Sequence, residues 1–326
     1  MRPSHLQQRD PAIRILASFV PAVSFYFVFH AYHYFDKAAR IGKVDLRIPP
    51  SAWADHDLEF AGRVGDLLAR IMWGLSGMLF VLVWGIGVVG LCGIMLSALA
   101  NRSRGLRASV AGLALLAAWM IYPAWNKNPL TLKAIAPILH DTFAQMGLVK
   151  GPMILHLTTA MALACAILLV IASSAILAPP ASAVRSQEET LKQIRLLRWT
   201  LYLGAAVLVV GVFHATATHH LPVAWLKSPF SEDFGRIETG VSAATGSLWT
   251  LLLLSIYLPS VAILRWDALR LARQSLPYGS HEERAIWLTT AGFVASPWQH
   301  LARLGALLGP VLAGGPVATL LQSLRH

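Results

Sequence analysis

Charge is what this sequence has least of. Charged residues make up 13% of its 326 positions against 56% hydrophobic ones, roughly half the charge of an average soluble domain. Mean hydropathy is +0.57. Such a balance excludes an ordinary water-soluble globule and points to a chain that lives in a bilayer. Cysteine is nearly missing too: Cys92 and Cys165 are the two that occur, both inside apolar runs. That excludes a disulfide framework and a CxxC metal knuckle, so they read as small packing residues. No catalytic or nucleotide-binding motif stands out, no internal repeat is visible, and a strand-based extracytoplasmic domain is not expected.

What is present is a series of apolar runs near or above the roughly 18 residues that cross a membrane. They predict an all-α, polytopic transmembrane helical bundle with six spans at about 13–34, 72–99, 108–125, 153–177, 199–218 and 241–264. These six form an expected transmembrane domain over 1–264, followed by a cytoplasmic helical tail over 265–326. The first run ends in "HAYHYFDK" without a small-residue cleavage site, so it reads as an uncleaved anchor. A further apolar run, 304–321, is broken by Pro310 and by Gly314, Gly315 and Pro316. Prolines there remove backbone hydrogen bonds that lipid cannot replace, so this run is expected to be interfacial or re-entrant.

The formal charge of +11 is spread over the ends of the runs rather than gathered in one patch, which speaks for topology and against nucleic acid as a partner. Lys and Arg favour the connections on the side of the N-terminus, predicting a bacterial-type inner-membrane protein with both termini in the cytoplasm. Three capping boxes mark helix starts: "SQEE" at Ser186, "SHEE" at Ser280 and "SPWQ" at Ser296. The first is expected to open a helix that continues into the fifth span as a cytoplasmic stalk, and the sixth span to continue through "RWDALRLARQ". In the connection before the second span, Phe60, Ala61, Val64, Leu67, Leu68 and Ile71 share one helical face, with Arg63, Asp66 and Arg70 opposite. This segment is expected to lie on the surface and turn into the second span.

Two sets of residues carry the functional expectations. The second span holds Gly85, Gly87 and Gly90, and the sixth holds Pro259; the glycines permit close helix packing or line a permeation path, and the proline kinks its helix. The second set is histidine. His30, His156 and His214 come from different spans at similar depth on the predicted outer side, His30 is joined by His33 on one helical stripe, and "GVFHATATHHLP" adds His219 and His220. His30, His33, His156 and His214 could hold a transition metal, since imidazoles from facing helices build such sites; haem is the weaker form because the positions are shallow. His219 and His220, just before Pro222, read as interfacial. No expected span carries Asp, Glu, Lys or Arg well inside it, which weighs against proton- or sodium-coupled transport.

The leading expectation is a non-enzymatic pore, channel-like effector or membrane-embedded assembly subunit, surrounded by lipid and working as a homo-oligomer or within a larger membrane complex. A metal- or haem-dependent oxidoreductase is the first alternative and a secondary transporter the second.

Overall fold

The computed structural model describes residues 17–28, 30–31, 48–53, 60–100, 112, 130–178, 186–293 and 297–323. Among these there is no β-strand. The helices are α1 (Ala17–Val28), α2 (Phe60–Leu99), α3 (Leu130–Gln145), α4 (Gly151–Leu177), α5 (Gln187–Trp225), α6 (Phe230–Ser275), α7 (His281–Thr290) and α8 (Pro297–Ser323). Four helices are long and apolar enough to cross a membrane: α2 from Asp66 onward, α4, α5 and α6. They take up the expected second, fourth, fifth and sixth spans. Of the first span the described part is the shorter apolar helix α1, and the third, 108–125, lies outside the described residues apart from Gly112.

The start signals read from the sequence act as anticipated where they can be seen. Ser186 accepts a hydrogen bond from the Glu189 amide and opens α5, which runs unbroken to Trp225. Ser280 and Glu283 close a reciprocal capping box at α7. Ser296 lies outside the described residues. Each satisfies backbone donors that would otherwise be orphaned in the first turn.

Helix α5 is the centre of the structure. It packs against α2, α3, α4, α6 and α8, and its buried positions recur along its whole length, from Thr190 to Trp225. Helix α2 sits at the edge: 22% of its most apolar window is buried against 67% for α4. Where α2 meets α5, two of its glycines remove bulk. A Cβ on Gly87 would stand 2.3 Å from Val207 Cγ2, and one on Gly90 2.6 Å from Leu203 Cδ1, whereas Gly85 faces open space. Gly87 and Gly90 therefore serve close packing with α5.

The segment before the second span continues into it as one helix, as expected. Leu67, Leu68 and Ile71 are exposed, while Asp66 and Arg70 on the other face are partly buried. Arg70 pairs with Asp66 at 2.9 Å, donates to the Met146 carbonyl at 3.2 Å and lies 5.4 Å above the Trp225 ring. The segment partitions as an amphipathic helix should, but with its apolar face outward, as suits a lipid-facing surface.

Residues 304–321 fall within one continuous helix, α8, packed along α6 and α5. The turn disturbed by Pro310 finds a partner across the interface, where the Val311 amide donates to Thr250 Oγ1 at 3.1 Å. Neighbouring helices commonly resolve prolines in this way when water is absent. The crossing is backbone on backbone: a Cβ on Gly246 would meet the Pro310 carbonyl oxygen at 2.3 Å, and one on Gly314 the Ser242 carbonyl oxygen at 2.3 Å. Helix α6 likewise passes through Pro259 without ending, and the adjacent Ser260 hydroxyl donates to the Ile256 carbonyl at 2.7 Å.

One end of this assembly, called here the turn end, is closed by a second small core. Ile135, Leu139 and Phe143 of α3 pack against Leu221, Val223, Trp225 and Phe234 around the α5–α6 turn, and the Lys227 amide donates to the Ala52 carbonyl at 2.8 Å. The opposite, stalk end carries the start of α5, the end of α6, and α7.

Because backbone atoms cannot yield as a side chain can, Gly246→Ala and Gly314→Ala are expected to lower stability by about 1–3 kcal/mol, the usual range for overpacking. Gly85→Ala, with open space around it, is expected to be neutral or slightly stabilising. Thermal unfolding of the three variants in detergent, read by helical circular dichroism, checks the contrast.

Candidate functional site

Polar side chains gather near the turn end of α5, in the stretch "FHATATHH". His214 is 4% exposed and fits a slot in α2 built from Trp73, Ser76, Gly77 and Phe80, spaced i, i+3, i+4, i+7 on one face. The Trp73 and Phe80 rings stack on the imidazole with centroids 6.5 and 5.9 Å away. A Cβ on Gly77 would stand 3.2 Å from His214 Cε1, so glycine is what lets the ring enter. Ser76 Oγ lies 3.0 Å from Nδ1 and also donates to the Trp73 carbonyl at 2.9 Å. A hydroxyl has one proton: when it goes to the Trp73 carbonyl, Nδ1 carries the imidazole hydrogen, and when it goes to Nδ1, the hydrogen sits on Nε2.

Deeper toward the turn, His219 is 2% exposed and Glu238 of α6 wholly buried. Ser242 connects them. Its hydroxyl stands 3.5 Å from His219 Nδ1 and donates to Glu238 Oε1 at 3.3 Å. The second carboxylate oxygen, Oε2, lies 3.7 Å from His220 Nδ1, within ion-pair reach when that ring is protonated. These distances are long for hydrogen bonds, and neither Glu238 Oε2 nor His220 Nδ1 has a hydrogen-bond partner. No Lys or Arg pairs with Glu238 among the described residues. Beside the cluster lies a cavity of about 110 Å³, lined by His214, Thr218 and His219 of α5, Thr158 and Thr159 of α4, and Thr245 and Trp249 of α6. The hydroxyls and imidazoles of these residues interrupt a mostly apolar wall that also includes Phe80, Leu155, Leu208 and Leu248, and offer polar partners to water that enters there.

This arrangement corrects the reading of "GVFHATATHHLP" as a helix end meeting water. Helix α5 continues through Pro222 to Trp225, and the α3 core covers its end, so His219 is enclosed. Sequence reasoning also missed Glu238 and Ser242. The sixth span was taken to begin at 241, yet α6 begins at Phe230, which brings Glu238 inside a helix and opposite the paired histidines. A signal was present: Glu238 and Ser242 stand at i,i+4 in the small-residue run "ETGVSAATG".

The other expected site residues do not meet His214. His156 is exposed at the start of α4. His30 is exposed near α1, 4.1 Å from the Tyr26 ring by centroids, and His33 lies outside the described residues. Among the described residues no three His, Cys, Asp or Glu side chains converge as a metal-binding group. What the geometry offers instead is proton chemistry: one carboxylate, three imidazoles and hydroxyls that can donate or accept, with His214 and His219 at the wall of the cavity.

No protein-family model, curated protein or solved structure matches this chain. Function must therefore be argued from the site itself.

If His214 is held as a packing and hydrogen-bonding element, Ser76→Ala strands Nδ1 in an apolar slot and should cost about 1–3 kcal/mol. His156→Ala, at an exposed position, should stay within about 0.5 kcal/mol of the parent protein. Denaturant unfolding in detergent micelles measures both.

Proposed function

We propose that this protein is a non-enzymatic, multi-pass membrane protein of a bacterial-type inner membrane that couples proton uptake at the turn end to movement of its helices. It acts as a proton-responsive carrier or channel-like effector. The observation that carries this reading is Glu238, a carboxyl group buried completely beside His220 of α5, with no Lys or Arg among the described residues to balance it. An ionisable residue in such a position is costly in an apolar phase and commonly marks a proton or ion path. The reading favours the transport-type expectations over the oxidoreductase, because the buried partners of His214 are a serine hydroxyl and two aromatic rings.

The mechanism follows from charge balance. One proton shared among Glu238, His219 and His220 leaves the cluster neutral overall. Adding or removing a proton leaves a net charge that the surrounding Leu, Val and Phe side chains cannot solvate. Opening the α5–α6 turn admits water to that charge, and the cavity beside His219 and Thr245 gives the water a place to enter. The groups recorded against Glu238 are His220 from α5 and Ser242 from its own helix, with His219 reaching it through Ser242. The backbone of Gly314 in α8 closes the site at Ser242. In this reading the turn end faces outward, the stalk end and α7 lie in the cytoplasm, and the protein works as a homo-oligomer or within a larger membrane complex.

Hydrogen exchange of the full chain in lipid nanodiscs tests this. Corrected for the chemical pH dependence of exchange, protection of 219–242 is expected to change severalfold between pH 8 and pH 5. Glu238→Gln, which keeps the shape and removes the titration, should abolish that change while leaving protection of α4 as it was. Equal pH responses in the parent protein and the Gln variant would sink the proposal, as would a parent protein with no response. Liposomes loaded with a pH indicator provide the functional counterpart, with proton entry expected to be lost in Glu238→Gln.

A further inference from the structure

A larger, apolar cavity lies at the opposite end from the histidines, and its chemistry is different. About 280 Å³ of space is enclosed by α5, α6, α7 and α8 near the stalk end. Most of its wall is aliphatic or aromatic, including Ile194, Val261, Leu264, Leu288 and Phe293, yet Arg198, Arg265 and Arg303 also line it. No carboxylate is among the described lining residues. Buried cations normally have acceptors, but here Nε of Arg198 and both Nε and Nη2 of Arg303 are buried with no hydrogen-bond partner. A buried donor left unmade is destabilising, more so when charged, and guanidinium groups match phosphate and carboxylate oxygens in geometry. Two guanidinium groups beside an apolar chamber therefore describe a ligand with an anionic head and an apolar body.

We propose that this cavity binds an anionic amphiphile, with its phosphate or carboxylate head between Arg198 and Arg303 and the first part of its chain against Ile194, Val261 and Leu288. The volume sits at the small end of the roughly 300–1,000 Å³ typical of ligand sites. It accommodates the head and proximal carbons, and the rest of the chain runs out along the apolar surface of the helices. Basic pockets between membrane helices hold anionic lipid heads on the same grounds. Helices α7 and α8 bring Leu288 and Arg303 to opposite sides of the same ligand, so occupancy ties the chain after α6 back onto the α5 stalk. None of this depends on the proton reading of the turn end.

The test is native mass spectrometry of the detergent-purified full chain, titrated with phosphatidylglycerol, phosphatidylcholine, palmitate or inorganic phosphate. One molecule of phosphatidylglycerol or palmitate is expected to bind at least tenfold more tightly than phosphatidylcholine, weakening as salt rises. Tighter phosphatidylglycerol assigns the occupant to the bilayer, and tighter palmitate assigns it to free fatty acid; either sustains the proposal. Arg198→Gln and Arg303→Gln should each reduce binding about tenfold, with Arg303→Lys recovering part of the loss. Inorganic phosphate binding as tightly as either amphiphile overturns the proposal, and so does phosphatidylcholine binding equally well. Should the Gln variants not fold, the head-group and salt comparisons on the parent protein decide alone.

Discussion

Where water is absent, every polar group must find its partner within the protein, and the central helix α5 is where that constraint presses hardest. It has buried positions from Thr190 to Trp225, among them four threonines along its length and, near its end, His214 and His219. Some return their hydroxyls to their own backbone: Thr200 to the Leu196 carbonyl and Thr218 to that of His214. Others need a neighbour, and the neighbours are arranged accordingly, with Ser76 on α2 for His214 and Ser242 on α6 for His219. The same requirement shapes the surroundings of α5. Trp84 of α2 donates to the Met161 carbonyl of α4 at 2.7 Å, and Thr250 receives the Val311 amide of the proline-disturbed α8. An unmatched buried donor or acceptor costs more than a matched one contributes, so these pairs set the register of the helices as much as apolar contact does.

Against that background, the groups left incompletely matched are informative. Glu238 Oε2 and His220 Nδ1 at the turn end, and Nε of Arg198 with Nε and Nη2 of Arg303 at the stalk end, have no hydrogen-bond partner. They are of opposite kinds, an acid with imidazoles at one end and cationic donors at the other. The first set can satisfy itself by moving a proton among its own members. The second consists of donors alone and calls for an acceptor from outside, so the two ends differ in chemistry.

Much of the fold was legible because its signals are local. Hydrophobic run length located α2, α4, α5 and α6, and Ser186 and Ser280 announced their helices through spacing alone. What could not be read was which phase each helix face meets. The stripe containing Leu67, Leu68 and Ile71 was visible, but the pattern is the same whether lipid or protein receives it, and here the charged stripe turned inward onto Met146 and Trp225. The histidine site failed for a related reason. Pro222 suggested an end, but covering the end of α5 depends on α3, a long-range contact that no window of sequence contains. Glu238 was overlooked because polar residues at 231–238 lowered the apparent hydropathy of a helix that nevertheless begins at Phe230.

The two sites are also joined mechanically. Helices α6 and α8 run antiparallel along one contact, from Ser242 against Gly314, through Gly246 and Thr250 against Pro310 and Val311, to the cavity shared by Tyr257 and Arg303. At Gly246 and Gly314 the backbones themselves meet, so sideways sliding is blocked by atoms that cannot change rotamer. The rigid part of that contact therefore begins at Ser242, the residue that donates to Glu238, and extends along both helices toward the arginine cavity.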